Sequence, residues 1–187
     1  MSGESQSFEA FIAALQRAAG ANRAAPPVHL WNPAYCGEAG FEILKDGTWK
    51  HEGVRITRAP MVRLFASILR KDEDGCTYLV TPAEKIRVEV EDAPFLAVRA
   101  DRSADGKAIA FTTNVGDVVT AGPDNPIRVE TDADGAPRPY VLVRGRLEAR
   151  ILRAPFYELV GWAEENGGVL SVESLGARFA LGRADGL

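Results

Sequence analysis

One ten-residue stretch occurs twice in this chain. Residues 55–64 read Arg-Ile-Thr-Arg-Ala-Pro-Met-Val-Arg-Leu, and residues 150–159 read Arg-Ile-Leu-Arg-Ala-Pro-Phe-Tyr-Glu-Leu. Six of ten positions match at an offset of 95. The setting repeats too: a β-patterned run, a proline that opens a helical pattern, a turn, then another strand. In a chain of 187 residues each copy is too small to bury a sheet and a helix alone. Two related β-α-β units are therefore expected, with a cleft between them as the favoured ligand site. The alternative is that strand–proline–helix junctions converge on similar residues.

The rest of the pattern is mostly strand. Residues 7–19 are amphipathic at helical spacing, with Ser7 as N-cap and Gly20 as stop, and an Ala-Pro stretch follows. Leu30–Gly40 is rich in Trp, Pro and Gly and reads as irregular. Asp46-Gly47 and Asp105-Gly106 mark hairpin turns. Ile86, Val88 and Val90 alternate with Lys85, Arg87 and Glu89, the pattern of a half-buried antiparallel strand. Ile127–Thr131 pairs with Pro139–Val143 across Asp132–Gly135, and alternation from Val141 to Ile151 predicts one continuous strand. Pro60 and Pro155 start helices, the second reaching Asn166, and a closing hairpin spans Val169–Leu181. The fold class is α+β, mainly antiparallel β, divided into residues 1–25, 26–100 and 101–187.

Composition narrows the function. A net charge of -4 and a pI near 5.3 argue against a protein that coats nucleic acid, since phosphate neutralisation needs clustered positive charge, while leaving room for a local basic patch. Met1–Gln6 lacks the basic start of a signal peptide, and no run reaches 18 uninterrupted apolar residues. Cys36 and Cys76 match no metal spacing and are expected as free thiols in a reducing cytoplasm. His29 and His51, the only histidines, stand beside no nucleophile motif. No catalytic residue, metal or cofactor is expected. Asp132-Ala133-Asp134-Gly135 lacks the later glutamate of a calcium loop and reads as a turn.

The residues that point to binding are basic. Arg144, Arg146 and Arg150 fall on one side of the expected strand, Arg138 precedes it, and Tyr140 shares their parity. Guanidinium groups take phosphate or carboxylate bidentately, and a tyrosine beside them can contact a ring. Lys85 opens another outward polar row. The competing reading pairs these cations with acids on neighbouring strands. Asn114 and Asp117 read chiefly as turn formers.

Asp46–Trp49, Arg58–Phe65, Tyr78–Lys85, Glu91–Phe95 and Arg138–Val141 together resemble the bacterial domain-of-unknown-function family 1285. The resemblance covers most of the chain after about residue 25. It implies two α+β domains with repeated motifs, the C-terminal one loosely similar to pleckstrin-homology folds. It also implies a nucleotide-like ligand at the domain interface and a signalling role. The expectation is therefore a non-enzymatic ligand-binding or signalling module, with Lys85, Arg138, Tyr140 and Arg144 at the anion site. The alternative is a protein-interaction scaffold with no small ligand and an unspecified partner.

Overall fold

A computed structural model describes residues 26–184; the helix expected over residues 7–19 lies outside them. The described residues form two units, one of residues 26–44 and 48–91, the other of 45–47 and 92–184. The boundary falls at Glu91–Asp92 rather than near residue 100, because a strand runs unbroken through that position. No helix among the described residues is long and apolar enough to cross a membrane.

In the first unit a 3-10 turn at Val28–Leu30 precedes strands β1 (Tyr35–Ile43), β2 (Trp49–His51) and β3 (Val54–Arg55). Helix α1 (Ala59–Ser67) follows, then β4 (Leu69–Lys71), β5 (Thr77–Val80) and β6 (Lys85–Val90). The stretch expected to be irregular up to Gly40 is thus largely β1. Its register slips twice between Tyr35 and Phe41, where Gly37 and Gly40 adopt positive φ that residues with a Cβ avoid. Pro60 sits in the first turn of α1, as its fixed φ predicts. The helix buries Phe65 and Ala66. The Phe65 ring lies 5.2 Å from that of Phe41 and 6.0 Å from that of Trp49, and all three side chains are fully buried.

The second unit contains β7 (Phe95–Arg102), β8 (Ile109–Thr113), β9 (Val118–Thr120), β10 (Ile127–Thr131), β11 (Pro137–Arg144) and β12 (Leu147–Ile151). Helix α2 (Arg153–Trp162) leads to β13 (Glu164–Asn166), β14 (Val169–Ser174) and β15 (Ala177–Arg183), which make a separate three-stranded sheet. Two expectations are corrected here. The continuous strand from Val141 to Ile151 is a hairpin turning at Gly145-Arg146, with Gly145 at φ +54°. The second helix stops at Trp162, and Glu164–Asn166 pairs with β14 instead.

The two large sheets share one connectivity. Their strand orders are β3-β2-β1-β6-β5-β4 and β9-β8-β7-β12-β11-β10. Each consists of two antiparallel three-stranded meanders joined by a parallel pair, β1 with β6 or β7 with β12. Both ten-residue copies do form strand–helix–strand, as β3-α1-β4 and β12-α2-β13. Yet α1 links the two meanders of its sheet, whereas α2 leaves the sixth strand of the second. The repeated sequence therefore encodes a strand-to-helix junction used at two different places in one topology.

Ser174 joins the small sheet to the second large one. It is fully buried, accepts from the Ile109 N–H (2.9 Å) and donates to the Ala121 carbonyl (2.7 Å). Removing its hydroxyl strands both backbone groups away from water. Ser174→Ala is expected to lower unfolding free energy by about 1–3 kcal/mol, read by urea titration; wild-type stability would show that neither group depends on the serine.

Candidate functional site

The antiparallel register of β10, β11 and β12 places Arg128 opposite Tyr140, and Tyr140 opposite Arg150. Glu130 stands opposite Arg138, and Leu142 opposite Glu148. Because side chains alternate across a strand, these charged residues share one face with Tyr140 at its centre. Val129, Val141, Ala149 and Ile151 take the other face; all but Val129 are fully buried. On that side a cavity of about 350 Å³ opens between β10–β11 and β15, lined by Val129, Thr131, Pro137 and Leu181 among others. It is separated from the charged face by the sheet itself.

Tyr140 is 3% exposed, and its hydroxyl donates to Asp92 Oδ1 (2.7 Å). Arg138 Nη2 donates to the same oxygen (2.7 Å), and Arg150 Nη1 donates to the tyrosine oxygen (3.1 Å). The Arg128 guanidinium lies over the Tyr140 ring, 4.3 Å from its centroid, and reaches diagonally to both oxygens of Glu148 (2.5 and 2.7 Å). It also pairs with Glu130. Burial, then the bond to Asp92, raises the Tyr140 pKa, while Arg150 opposes the shift. The Asp92 charge, followed by Tyr140, raises that of Arg138. Three guanidiniums thus meet three carboxylates around one ring, and the ring face covered by Arg128 is already a cation–π contact.

Of the expected residues, Arg138 and Tyr140 come together here. Arg144 stands six residues along β11, about 20 Å at the usual strand rise. It donates to Asp117 Oδ2 (2.5 Å) and lies 4.9 Å from the Phe95 ring centroid. Arg144, Arg146 and Arg150 do not form one row, because the turn at Gly145-Arg146 puts Arg144 and Arg150 on different strands. Asn114 caps the start of β7, its Oδ1 accepting from the Leu96 N–H (3.0 Å). Asp132 closes its turn by accepting from the N–H groups of Asp134 and Ala136. Among the described residues no cluster of His, Cys, Asp and Glu is arranged to hold a metal.

Lys85 belongs to the first unit. Its Nζ donates to Asp72 Oδ2 (2.5 Å) and lies 4.1 Å from the Tyr78 ring centroid. Arg70 Nε bonds the other Asp72 oxygen (2.6 Å), while its Nη1 donates to the carbonyls of Val28 and Trp31 (2.9 and 2.6 Å). This arginine ties the 3-10 turn to β4. The Tyr78 hydroxyl donates to Asp74 (2.6 Å), which pushes the phenol pKa up.

Asp92, Arg128, Glu130, Glu148 and Arg150 are the cluster members that sequence reasoning does not place at the site. The expected pairing of Ile127–Thr131 with Pro139–Val143 puts Arg128 on this face but opposite Leu142; the actual register is shifted by two residues and sets it opposite Tyr140. Arg150 belongs to the repeated motif, but an unbroken strand would have placed it beyond Arg144 rather than beside Tyr140. Asp92 carries no local signal; it arrives through the β7–β12 pairing.

Two outcomes follow from these contacts. Tyr140→Phe keeps the ring under Arg128 but uncouples Asp92 from Arg150, and is expected to cost about 1–2 kcal/mol in urea unfolding; an unchanged midpoint would show the bonds contribute nothing net. Burial raises the Asp72 pKa, but hydrogen bonds from Arg70 and Lys85 outweigh it and hold the carboxyl below its ordinary 3.8. A depressed folded pKa gives stability that is complete above the unfolded value and lost as pH falls through the folded one. Thermal melting followed from about pH 5 to pH 2 should therefore fall more steeply for wild type than for Asp72→Asn; parallel curves would remove this carboxylate from the acid transition.

Comparison with known proteins agrees with the architecture. The family model for the domain of unknown function (DUF1285), N-terminal domain, matches residues 26–93, and that for the DUF1285 C-terminal domain matches residues 94–181. No curated protein matches the chain. A crystal structure of a DUF1285 family protein from Silicibacter pomeroyi DSS-3 is 44% identical, covering 91% of this chain and 96% of its own, with a TM-score of 0.83. A second, from Shewanella baltica OS155, is 29% identical over 66% of this chain and 91% of its own, with a TM-score of 0.53. Both halves of the chain are accounted for by this match, and the chain belongs to the DUF1285 family.

Proposed function

We propose that this protein is a non-enzymatic ligand-binding or signalling module of the cytoplasm whose ligand is a small nucleotide-like anion held at Arg138, Arg150 and Tyr140. The observation that carries the reading is the chain of bonds Arg138–Asp92–Tyr140–Arg150. It holds two guanidiniums on either side of one carboxylate and one hydroxyl. Each arginine uses one nitrogen in that chain, and a guanidinium has five N–H donors. A phosphate group, with more charge and more acceptor oxygens than a carboxylate, competes with Asp92 for those donors. The adjoining sheet face then contacts the rest of the ligand, with the buried Tyr140 holding Arg150 in place beneath it. Arg144, further along β11 and holding Asp117, adds positive charge at the edge of the same face; Lys85 belongs to the other unit and holds Asp72.

The loosely pleckstrin-homology-like reading of the C-terminal half accompanies this proposal. Its support is the element order, a six-stranded sheet followed directly by a helix. The cytoplasmic placement accompanies it too, with free thiols at Cys36 and Cys76.

A thermal-shift series with ATP, GMP, cyclic dinucleotides and inorganic phosphate tests the reading. A ligand of native-state affinity raises the melting temperature by mass action, about 2.7 kcal/mol of stabilisation at a hundredfold excess over Kd. At least one of these anions should do so for wild type, and the shift should vanish in the double variant Arg138→Gln, Arg150→Gln. Flat melting curves across the series, or a full shift in the double variant, would move the function to the scaffold reading.

A further inference from the structure

The arginines of the first repeated segment behave differently from all the others. Arg55, Arg58 and Arg63 are exposed, and they are the arginines among the described residues whose side chains make no hydrogen bond, ion pair or ring contact. Every other described arginine has one. The second copy of the motif shows what is missing. There Arg150 bonds the Tyr140 hydroxyl, and Arg153 Nε donates to the Tyr157 hydroxyl (2.8 Å) four residues on. Four residues on from Arg58 stands Val62, which has no hydroxyl. The residue after Tyr157 is Glu158, and its counterpart after Val62 is Arg63. One copy supplies its arginines with partners; the other removes the acceptor and reverses a charge.

The surroundings add to the imbalance. Residues 53–71 contain Arg55, Arg58, Arg63, Arg70 and Lys71 and not one acidic residue. Arg70 is spent on Asp72 and two carbonyls. Arg58 is the N-cap of α1, and the first turn of that helix has no acidic side chain, so the helix dipole adds positive potential there. In a chain of net charge -4, unpaired like charges this close repel one another and lower stability unless something outside the chain compensates them.

We propose that Arg55, Arg58 and Arg63 form a docking face for an acidic segment of a partner protein. Three residues of chain outside the strand separate Arg55 from Arg58, at most about 10 Å, and Arg63 lies five residues on, about 7.5 Å along the helix axis and turned by about 140°, so an extended carboxylate-bearing chain that meets all three wraps around the start of α1. Val54, 71% exposed beside Arg55, gives the partner one apolar contact. An anionic membrane suits this face less well, because α1 turns Phe65 and Ala66 into the core, half-buries Met61, Val62 and Leu64, and exposes only Ala59, Pro60 and Arg63 fully. Val54 is the one large apolar side chain exposed along this segment, less than the broad apolar face that interfacial insertion needs. This face belongs to the first unit and the arginine cluster around Tyr140 to the second, and its partner is a macromolecule rather than a small anion.

Fluorescence anisotropy with a labelled deca-glutamate peptide, using the full chain at low salt, tests the proposal. Wild type is expected to bind. The double variant Arg58→Glu, Arg63→Glu should bind at least about tenfold more weakly, while Arg99→Glu, Arg102→Glu, an equal charge change in the second unit, should leave affinity within about twofold. Because the reversed side chains make no hydrogen bond or ion pair, the docking variant should melt at or above the wild-type temperature, which separates lost binding from lost folding. Absence of peptide binding, equal weakening by both double variants, or selective loss of sedimentation with phosphatidylserine vesicles in place of peptide binding would each overturn the assignment.

Discussion

Both large sheets depend on one kind of contact, the parallel pairing of a first strand with a sixth. In the first unit Phe41 stands opposite Val88 and Ile43 opposite Val90; in the second Ala149 stands opposite Phe95 and Ile151 opposite Ala97. Nearly all of these side chains are fully buried. A three-stranded meander is a local object that hairpin turns can specify. Joining two of them needs a contact between strands some fifty residues apart, and burial on both faces is what makes a parallel pair worthwhile. Without it each unit is two thin sheets with long open edges.

The same pairing organises charge. It brings Asp92, at the start of the segment leading into β7, under a tyrosine and two arginines from β11 and β12. The result is a face where cations and anions alternate around a buried ring. The network has two uses: it compensates the burial of Tyr140, and it holds guanidiniums in fixed positions with donors to spare. Along the first repeated segment the opposite holds. There basic side chains stand out from the sheet and helix with no counter-charge, and their compensation lies outside the chain.

Much of the fold was legible locally. Aspartate–glycine turns, period-two alternation and the two prolines predict most strands and both helix starts, but the β10–β11 pairing read from the sequence is two residues out of register. Legibility failed where one residue type served two conformations. By alternation Gly145 is one more position in a strand, but at φ +54° it turns the chain, which separates Arg144 from Arg150. Glu164–Asn166 continues a helical run by composition, yet it pairs with Val169–Ser171 because an edge of β14 is available to it. Of the residues proposed to bind, only Arg138 and Tyr140 were already neighbours by alternation along one strand.

The sequence by itself determined the family, the strand-rich composition, the strand-to-helix junction that occurs twice, and the basic character of the segment between Gly53 and Lys71. These rest on short-range physics: turn stereochemistry, side-chain alternation and net local charge. Only the tertiary structure decided that the two sheets share a topology out of step with the repeated sequence. It alone decided which arginines are neutralised and which are bare. Those outcomes depend on contacts between residues far apart in the chain, and a carboxylate such as Asp92 has no preferred partner until the sheet brings one to it.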